Sequence, residues 1–198
     1  KLIVVACGTV SSVALPIIGK TCKTPIIGVV EAASEAALAA TKNNRIGIIG
    51  TPGTIGSHAY SAYILNKNPN IKTFSRACPL FVPLVENGHF NTPVAKLVIE
   101  EYLEEIKKEN VDTLILGCTH YPLLLEKIQK YVPPGVRVMP QGDFVASSLK
   151  CYLDRHPEMR ERLSCGGSVT YLTTEQAQMF QESTSIFMGQ EVKARRVL

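Results

Sequence analysis

Asp112-Thr-Leu-Ile-Leu-Gly-Cys118-Thr-His120 is an apolar run of strand length that ends on a cysteine and a threonine. Its run of apolar side chains, closed by Gly117, predicts a buried parallel strand over 111–116, with a helix starting soon after Cys118. The first residues of the chain repeat the arrangement. Lys1-Leu-Ile-Val-Val-Ala-Cys7-Gly-Thr9 is a second apolar run, again ending on a cysteine with a threonine close behind, and it predicts a buried strand over 2–6. In open α/β sheets, ligands bind at the carboxyl ends of the strands. Two strand-end cysteines in matching settings therefore predict one pocket with a thiol on either wall. Such a pair suits removal of a proton from one face of a carbon and return of a proton to the other.

Elsewhere strands and helices alternate. Strands are expected over 25–30, 45–49, 71–77, 136–139 and 169–173, and helices over 11–19, 31–41, 57–66, 92–108, 122–131 and 143–153. The 31–41 stretch is alanine-rich and has high helix propensity. Val94, Leu97, Val98, Tyr102 and Ile106 keep helical spacing with charges between them, and Pro122 suits the first turn of its helix. Residues 154–167 read as a surface connection. Units this short mean βαβ crossovers and parallel strands. The expected fold class is α/β, with two similar parallel-sheet α/β domains facing each other across a cleft; residues 1–12 and 112–123 echo one another as its two halves. The first domain comprises residues 1–30 and 144–198 and is incomplete at its N-terminus, because the chain opens directly inside a strand. Residues 31–143 form the second.

The 198 residues are 45% apolar and 19% charged, enough for a real core and unlike a disordered chain. A net charge of +4 with scattered lysines and arginines does not indicate nucleic acid, since only Lys193-Ala-Arg-Arg196 clusters. No stretch reaches membrane-span length, and no signal peptide is evident. The six cysteines fall at 7, 22, 78, 118, 151 and 165 without a Cys-x-x-Cys pair or a histidine at zinc-ligand spacing. Reduced thiols in a cytoplasm are the expectation.

Several side chains suit the same chemistry. A thiol at a helix N-terminus meets backbone N–H groups and the positive end of the helix dipole, which is expected to lower the pKa of Cys7 and Cys118 toward neutrality. Thr9 and Thr119 can hold a carboxylate at the helix starts or simply cap them, and Gly8 lets main chain approach a ligand. The turn Gly50-Thr51-Pro52-Gly53-Thr54 follows a strand and is placed to hold an anion; it fits neither the dinucleotide nor the P-loop pattern. His120 can stabilise a thiolate at Cys118 or meet a carboxylate. Glu86 reads as a loop carboxylate that can assist a base, and Asp143 as a helix cap.

These residues resemble a known family. Val5-Ala-Cys7-Gly-Thr9-Val-Ser-Ser12 and Leu116-Gly-Cys118-Thr-His-Tyr-Pro-Leu123 closely resemble the two signature motifs of bacterial glutamate racemases. Gly50-Thr-Pro-Gly-Thr54, Cys78-Pro-Leu-Phe-Val-Pro-Leu-Val-Glu86 and Gln141-Gly-Asp143 resemble that family in the same order. The resemblance implies a cytoplasmic two-base racemase without cofactor or metal, its active site between two α/β domains. Cys7 and Cys118 are then the two bases, and Gly8, Thr9, Thr51, Thr54, Thr119 and His120 line the substrate. Glu86 and His120 match positions that assist the thiols. The implied partner is glutamate, with D-glutamate passing into peptidoglycan. Members of the family often form homodimers; neither nucleic acid nor membrane is implied. The chain departs from the family at Gly8, where asparagine is usual, and it lacks both the family's first strand-loop, with its aspartate and serine, and the later Pro-Tyr-Gly loop. These 198 residues by themselves are therefore expected to turn over weakly or not at all.

Three other readings stay open at the level of sequence. One is an aspartate racemase of the same family. Another is a fragment that binds acidic amino acids without turning them over. The third is a thiol redox protein, against which the lack of Cys-x-x-Cys counts.

Overall fold

The computed structural model describes residues 1–164 and 166–198; Cys165, one of the six thiols, lies outside the described residues. The chain divides into two compact units, Lys1–Arg160 and Glu161–Leu198. In the first unit, β1 (Ile3–Val5) leads into α1 (Gly8–Val13) and α2 (Leu15–Thr21), and β2 (Ile26–Gly28) into α3 (Val29–Ala40). Next come β3 (Arg45–Gly50), α4 (Pro52–Gly56) and α5 (Ala59–Lys67), then β4 (Lys72–Ala77), α6 (Phe81–Glu86) and α7 (Pro93–Lys108). β5 (Thr113–Leu116) is followed by a 3-10 turn (Tyr121–Leu124) and α8 (Leu125–Tyr131), and β6 (Arg137–Pro140) by α9 (Gln141–Arg155) and α10 (Pro157–Arg160).

The fold is α/β, and all its strand pairs are parallel among the described residues. One sheet runs β4-β3-β5-β6, and β1 pairs with β2 in a sheet of two. Both faces of the larger sheet are covered, which is why its central strands read as unbroken apolar runs. Ile46, Ile48, Ile115 and Met139 pack on one face against Ala33 and Ala37 of α3 and Tyr60 and Ile64 of α5. Ile49, Leu114 and Leu116 pack on the other, with Phe81, Ile99, Leu103 and Ile128 from α6, α7 and α8.

Asp112 ties this sheet to the helix layer. Its carboxylate accepts hydrogen bonds from the Thr41 hydroxyl at 2.7 Å and from the Lys42 and Asn43 amides at 2.6 and 2.7 Å, anchoring the end of α3 at the start of β5. Burial by itself raises this carboxyl's pKa, but those bonds and one from Thr113 outweigh burial and hold it below the usual carboxylate value.

The second unit holds β7 (Tyr171–Thr173), α11 (Ala177–Met188) and β8 (Ala194–Arg196), with Tyr171 opposite Ala194 in a parallel pair. Gly189 ends α11 in the left-handed conformation, at φ 63°. No helix among the described residues is long and apolar enough to cross a membrane.

Several expectations need correction. β1 is not buried: Ile3 and Val4 are each 40% exposed, because the strand has a partner on one side only. The helix expected over 11–19 starts at Gly8 and breaks at Ala14, since Pro16 has no N–H to continue the ladder and instead sits in the first turn of α2. Residues 81–86 form α6 rather than a loop, and Pro83 is tolerated there because it lies in the first turn. α10 interrupts the expected surface connection. α11 and β8 were unforeseen, and Ser183-Thr-Ser185 explains part of that, being weak in helix propensity.

Two measurements check this account. Leu114 is fully buried between β3 and the α7 layer. Leu114→Ala is expected to cost about 2–5 kcal/mol of unfolding free energy in a urea titration. The lowered Asp112 pKa favours the folded state above the unfolded-state carboxyl pKa, and that contribution disappears as pH falls through the lower folded value. Asp112→Asn is therefore expected to be less stable than the native chain at neutral pH, with the gap narrowing in acid.

Candidate active site

β3 connects to β4 on one side, while β5 lies on its other side, so the direction of winding reverses between β3 and β5. Such a reversal leaves a crevice at the carboxyl ends of the two strands. The Gly117 amide donates to the Ile49 carbonyl at 2.7 Å, the last rung before the strands part. Beyond it, β3 delivers Thr51 and Thr54, and β5 delivers Cys118, Thr119 and His120.

The third contributor is the end of β1. Cys7 is the N-cap of α1, and α1 packs against α4 and α3. Ser11 secures this corner: its hydroxyl donates to the Val5 carbonyl at 2.8 Å and accepts from the Val29 amide at 3.2 Å, joining β1, α1 and α3. Gly8 is buried against β5, and Thr9 reaches the turn after β3.

Three hydroxyls meet there. Thr9 Oγ1 lies 2.7 Å from Thr51 Oγ1 and 3.2 Å from Thr54 Oγ1, and the last two are 3.0 Å apart. Thr51 also caps α4 by accepting from the Thr54 amide at 3.3 Å. Capping and clustering are thus properties of the same side chains. Thr9 caps nothing, because it lies inside α1. The cluster presents exchangeable donors suited to an oxyanion.

On the β5 side a chain of contacts leads away from the second thiol. Cys118 Sγ lies 3.8 Å from His120 Nδ1, and His120 Nε2 lies 3.1 Å from Glu86 Oε1. Glu86 closes α6 and is half exposed. Thr119 Oγ1 is 3.5 Å from the same His120 Nδ1. The carboxylate orients the imidazole, and the imidazole faces the sulfur.

The two thiols differ in setting: Cys7 is exposed and Cys118 buried. Burial pushes the Cys118 thiol above the ordinary cysteine value. The amides of His120 and Thr119 and the Thr119 hydroxyl favour its thiolate, whereas negative charge on Cys7 opposes it. The helix-start location was expected to lower this pKa; desolvation wins instead. The fold sets Gly8, next to Cys7, against Gly117, next to Cys118, so the two thiol-bearing strand ends adjoin.

Tyr60 drew no attention in the sequence, where it is one residue of the helix expected over 57–66. It is buried, is bonded to Gln141, and its phenol feels both Cys7 and Cys118. Asp143, expected as a cap, lies in the first turn of α9, and Pro140 takes the cap position. Among the described residues, Cys7, Cys22, Cys78, Cys118 and Cys151 are free thiols.

Known proteins share this architecture. The family model for Asp/Glu/hydantoin racemases matches residues 1–147. A glutamate racemase from Lactiplantibacillus plantarum is 42% identical over 190 residues, covering 96% of this chain and 70% of the relative. One from Chlorobaculum parvum is 41% identical over 194 residues, covering 97% of this chain and 71% of the relative. Among solved structures, Bacillus anthracis glutamate racemase isoform RacE1 superposes with a TM-score of 0.91 at 31% identity, covering 100% of this chain and 74% of that one. The Francisella tularensis glutamate racemase in complex with D-glutamate gives 0.89 at 31% identity, covering 100% of this chain and 73% of that one.

The raised Cys118 pKa is open to measurement. Iodoacetamide alkylation of Cys118, followed by peptide mass spectrometry, is expected to accelerate with pH through a midpoint above the ordinary thiol value of 9.0. A midpoint near neutrality would mean that the helix-start donors, not desolvation, control this sulfur.

Proposed function

This chain belongs to the Asp/Glu/hydantoin racemase family, and we propose that it interconverts L- and D-glutamate by proton transfer between two thiols, without a cofactor. One thiolate, at Cys7 or Cys118, removes the α-proton. The opposite thiol donates a proton to the other face of the resulting carbanion. In the reverse direction the two exchange roles.

The observation that carries this is the meeting of both strand ends, with Gly8, next to Cys7, against Gly117, next to Cys118. The threonine cluster of Thr9, Thr51 and Thr54 supports binding of a substrate carboxylate, with Thr119 on the opposite strand end. The Glu86–His120–Cys118 chain supports a role for His120 in sharing a proton with the thiol as its charge changes. An amino acid's α-proton is weakly acidic, so stabilisation has to come from a preorganised site that excludes water. Burial of Cys118 is consistent with that need, since a thiolate held in low dielectric is poorly solvated and strongly basic.

On this reading, residues 1–30 carrying Cys7 and residues 31–143 carrying Cys118 act as two lobes of one enzyme. The product serves peptidoglycan synthesis in the cytoplasm. Glutamate is the substrate drawn from the relatives' names, and aspartate is the competitor to test beside it.

The test is deuterium incorporation at Cα in heavy water, followed separately for glutamate and aspartate. Slow exchange is expected with glutamate, since these 198 residues by themselves are expected to turn over weakly, and Cys118→Ala is expected to lower it by about 10²–10⁴-fold, the usual weight of one acid–base group. Normal racemisation by Cys118→Ala would falsify the role of that thiol. Glu86→Gln is expected to lower kcat by less than Cys118→Ala, with KM nearly unchanged, because Glu86 acts through His120.

A further inference from the structure

We propose that Gln141 is a positioning residue for Cys118: its amide and the Tyr60 phenol form a buried strap across the end of β5 that fixes where this thiol leaves the sheet. The catalytic consequence rests on the two-thiol reading above, whereas the strap itself does not.

In the sheet, β5 lies between β3 and β6. Tyr60 belongs to α5, which follows β3 by way of α4, and Gln141 opens α9 directly after β6. Gln141 Nε2 donates to the Tyr60 hydroxyl. This bond joins the chain leaving β3 to the chain leaving β6, with the end of β5 between them. Leu116 stands opposite Pro140 in register. One residue beyond that pair come Gly117 on one strand and Gln141 on the other, and Cys118 follows Gly117. Tyr60 packs in one layer with Ile48, Ile115 and Met139, one residue from each of the three strands. The start of α5 is tied back to Thr54 through Ser57, whose hydroxyl donates to the Thr54 carbonyl at 2.6 Å and accepts from the Ala59 amide at 3.2 Å.

Burial makes this polar pair costly. Tyr60 is 2% exposed and Gln141 5%. The second polar atom of the amide, Oε1, is buried without a hydrogen-bond partner among the described residues, which destabilises a fold, and an apolar pair of the same shape avoids that cost. What the polar pair adds is direction. A hydrogen bond holds at one length and angle, whereas apolar side chains can slide past one another. The phenol keeps its proton, because burial above all, and then charge on Cys118 and Cys7, opposes its ionisation.

The double variant Tyr60→Phe with Gln141→Met tests this, since it removes both ends of the strap and keeps the space filled. Tyr63→Phe is the control: it deletes a phenol from the same helix at the surface, where Tyr63 meets Glu31 and Glu35. For the double variant the expected result is a fall of about 10²-fold in kcat for α-proton exchange with little change in KM. Cys118 should alkylate with iodoacetamide about tenfold faster, the weight of one hydrogen bond on a local opening. Cys78, fully buried in the core, should stay protected. Tyr63→Phe should change none of these. Native kcat or native Cys118 protection in a folded double variant overturns the proposal. So does a gain at Cys118 and Cys78 together, because the fold has then loosened as a whole. If the double variant does not fold, NMR of the native chain decides: Gln141 side-chain amide protons that exchange slowly with solvent support the strap, and free exchange overturns it. A native chain that exchanges no α-proton defeats the two-thiol reading, and alkylation of Cys118 against Cys78 then decides the strap by itself.

Discussion

The parallel pairing of β3 with β5 is the constraint on which the rest of the molecule depends. It sets Ile49 beside Leu116 in register and leaves Gly50 and Gly117 as neighbouring exits from the sheet. Because β4 lies on the far side of β3, the chain must cross back over the sheet through α6 and α7 to form β5. That crossover covers one face, α3 and α5 cover the other, and the reversal of winding opens a crevice at the carboxyl edge. Side chains at that edge are positioned by a framework with little freedom to shift.

Local needs and site geometry are met by the same residues. Thr51 satisfies an orphan amide at the start of α4 and also joins the hydroxyl cluster with Thr9 and Thr54. Asp112 satisfies amides at the end of α3 and thereby fixes where β5 begins. Five residues on, that strand delivers Gly117 and Cys118. Stability and function are therefore hard to separate along β5.

The thiols occupy two electrostatic settings. Cys7 faces solvent, whereas Cys118 lies in a drier place where desolvation outweighs three favourable donors. A buried sulfur with a raised pKa holds its proton readily and is a strong base once it loses it. His120 stands beside it and is joined in turn to Glu86. Cys78 shows the contrast: burial pushes its thiol up to about 12, and it packs in the core beside Ile49, Phe81 and Val85. It is the small buried hydrophobe that a strand-end cysteine more often proves to be.

The apolar runs at 45–49 and 111–116 carried enough local information to identify parallel strands, and the cysteine and threonine at the second run's end marked the sheet edge where the candidate site lies. A helix forms over Pro93–Lys108 as the spacing implied, but its buried stripe is Ala95, Ile99, Tyr102, Leu103 and Ile106, while Val94 and Leu97 are exposed. Exposure was another matter. β1 has the composition of a buried strand, yet it lies open because burial depends on what packs against it. Pro83 and Gly88 made the segment around Glu86 look like a loop, although a proline in a first turn costs a helix little. The Cys118 pKa departed from expectation because a helix start is visible in sequence and desolvation is not. Tyr60 carried no polar signal, and its place near both thiols came from the packing of α5. By itself, then, the sequence determined which residues could do proton chemistry and that they end strands, because strand propensity and side-chain chemistry are local. Only the tertiary structure decided that Gly8 meets Gly117, that three threonine hydroxyls converge and that Glu86 reaches His120, because contacts between residues far apart in sequence exist only once the chain has closed upon itself.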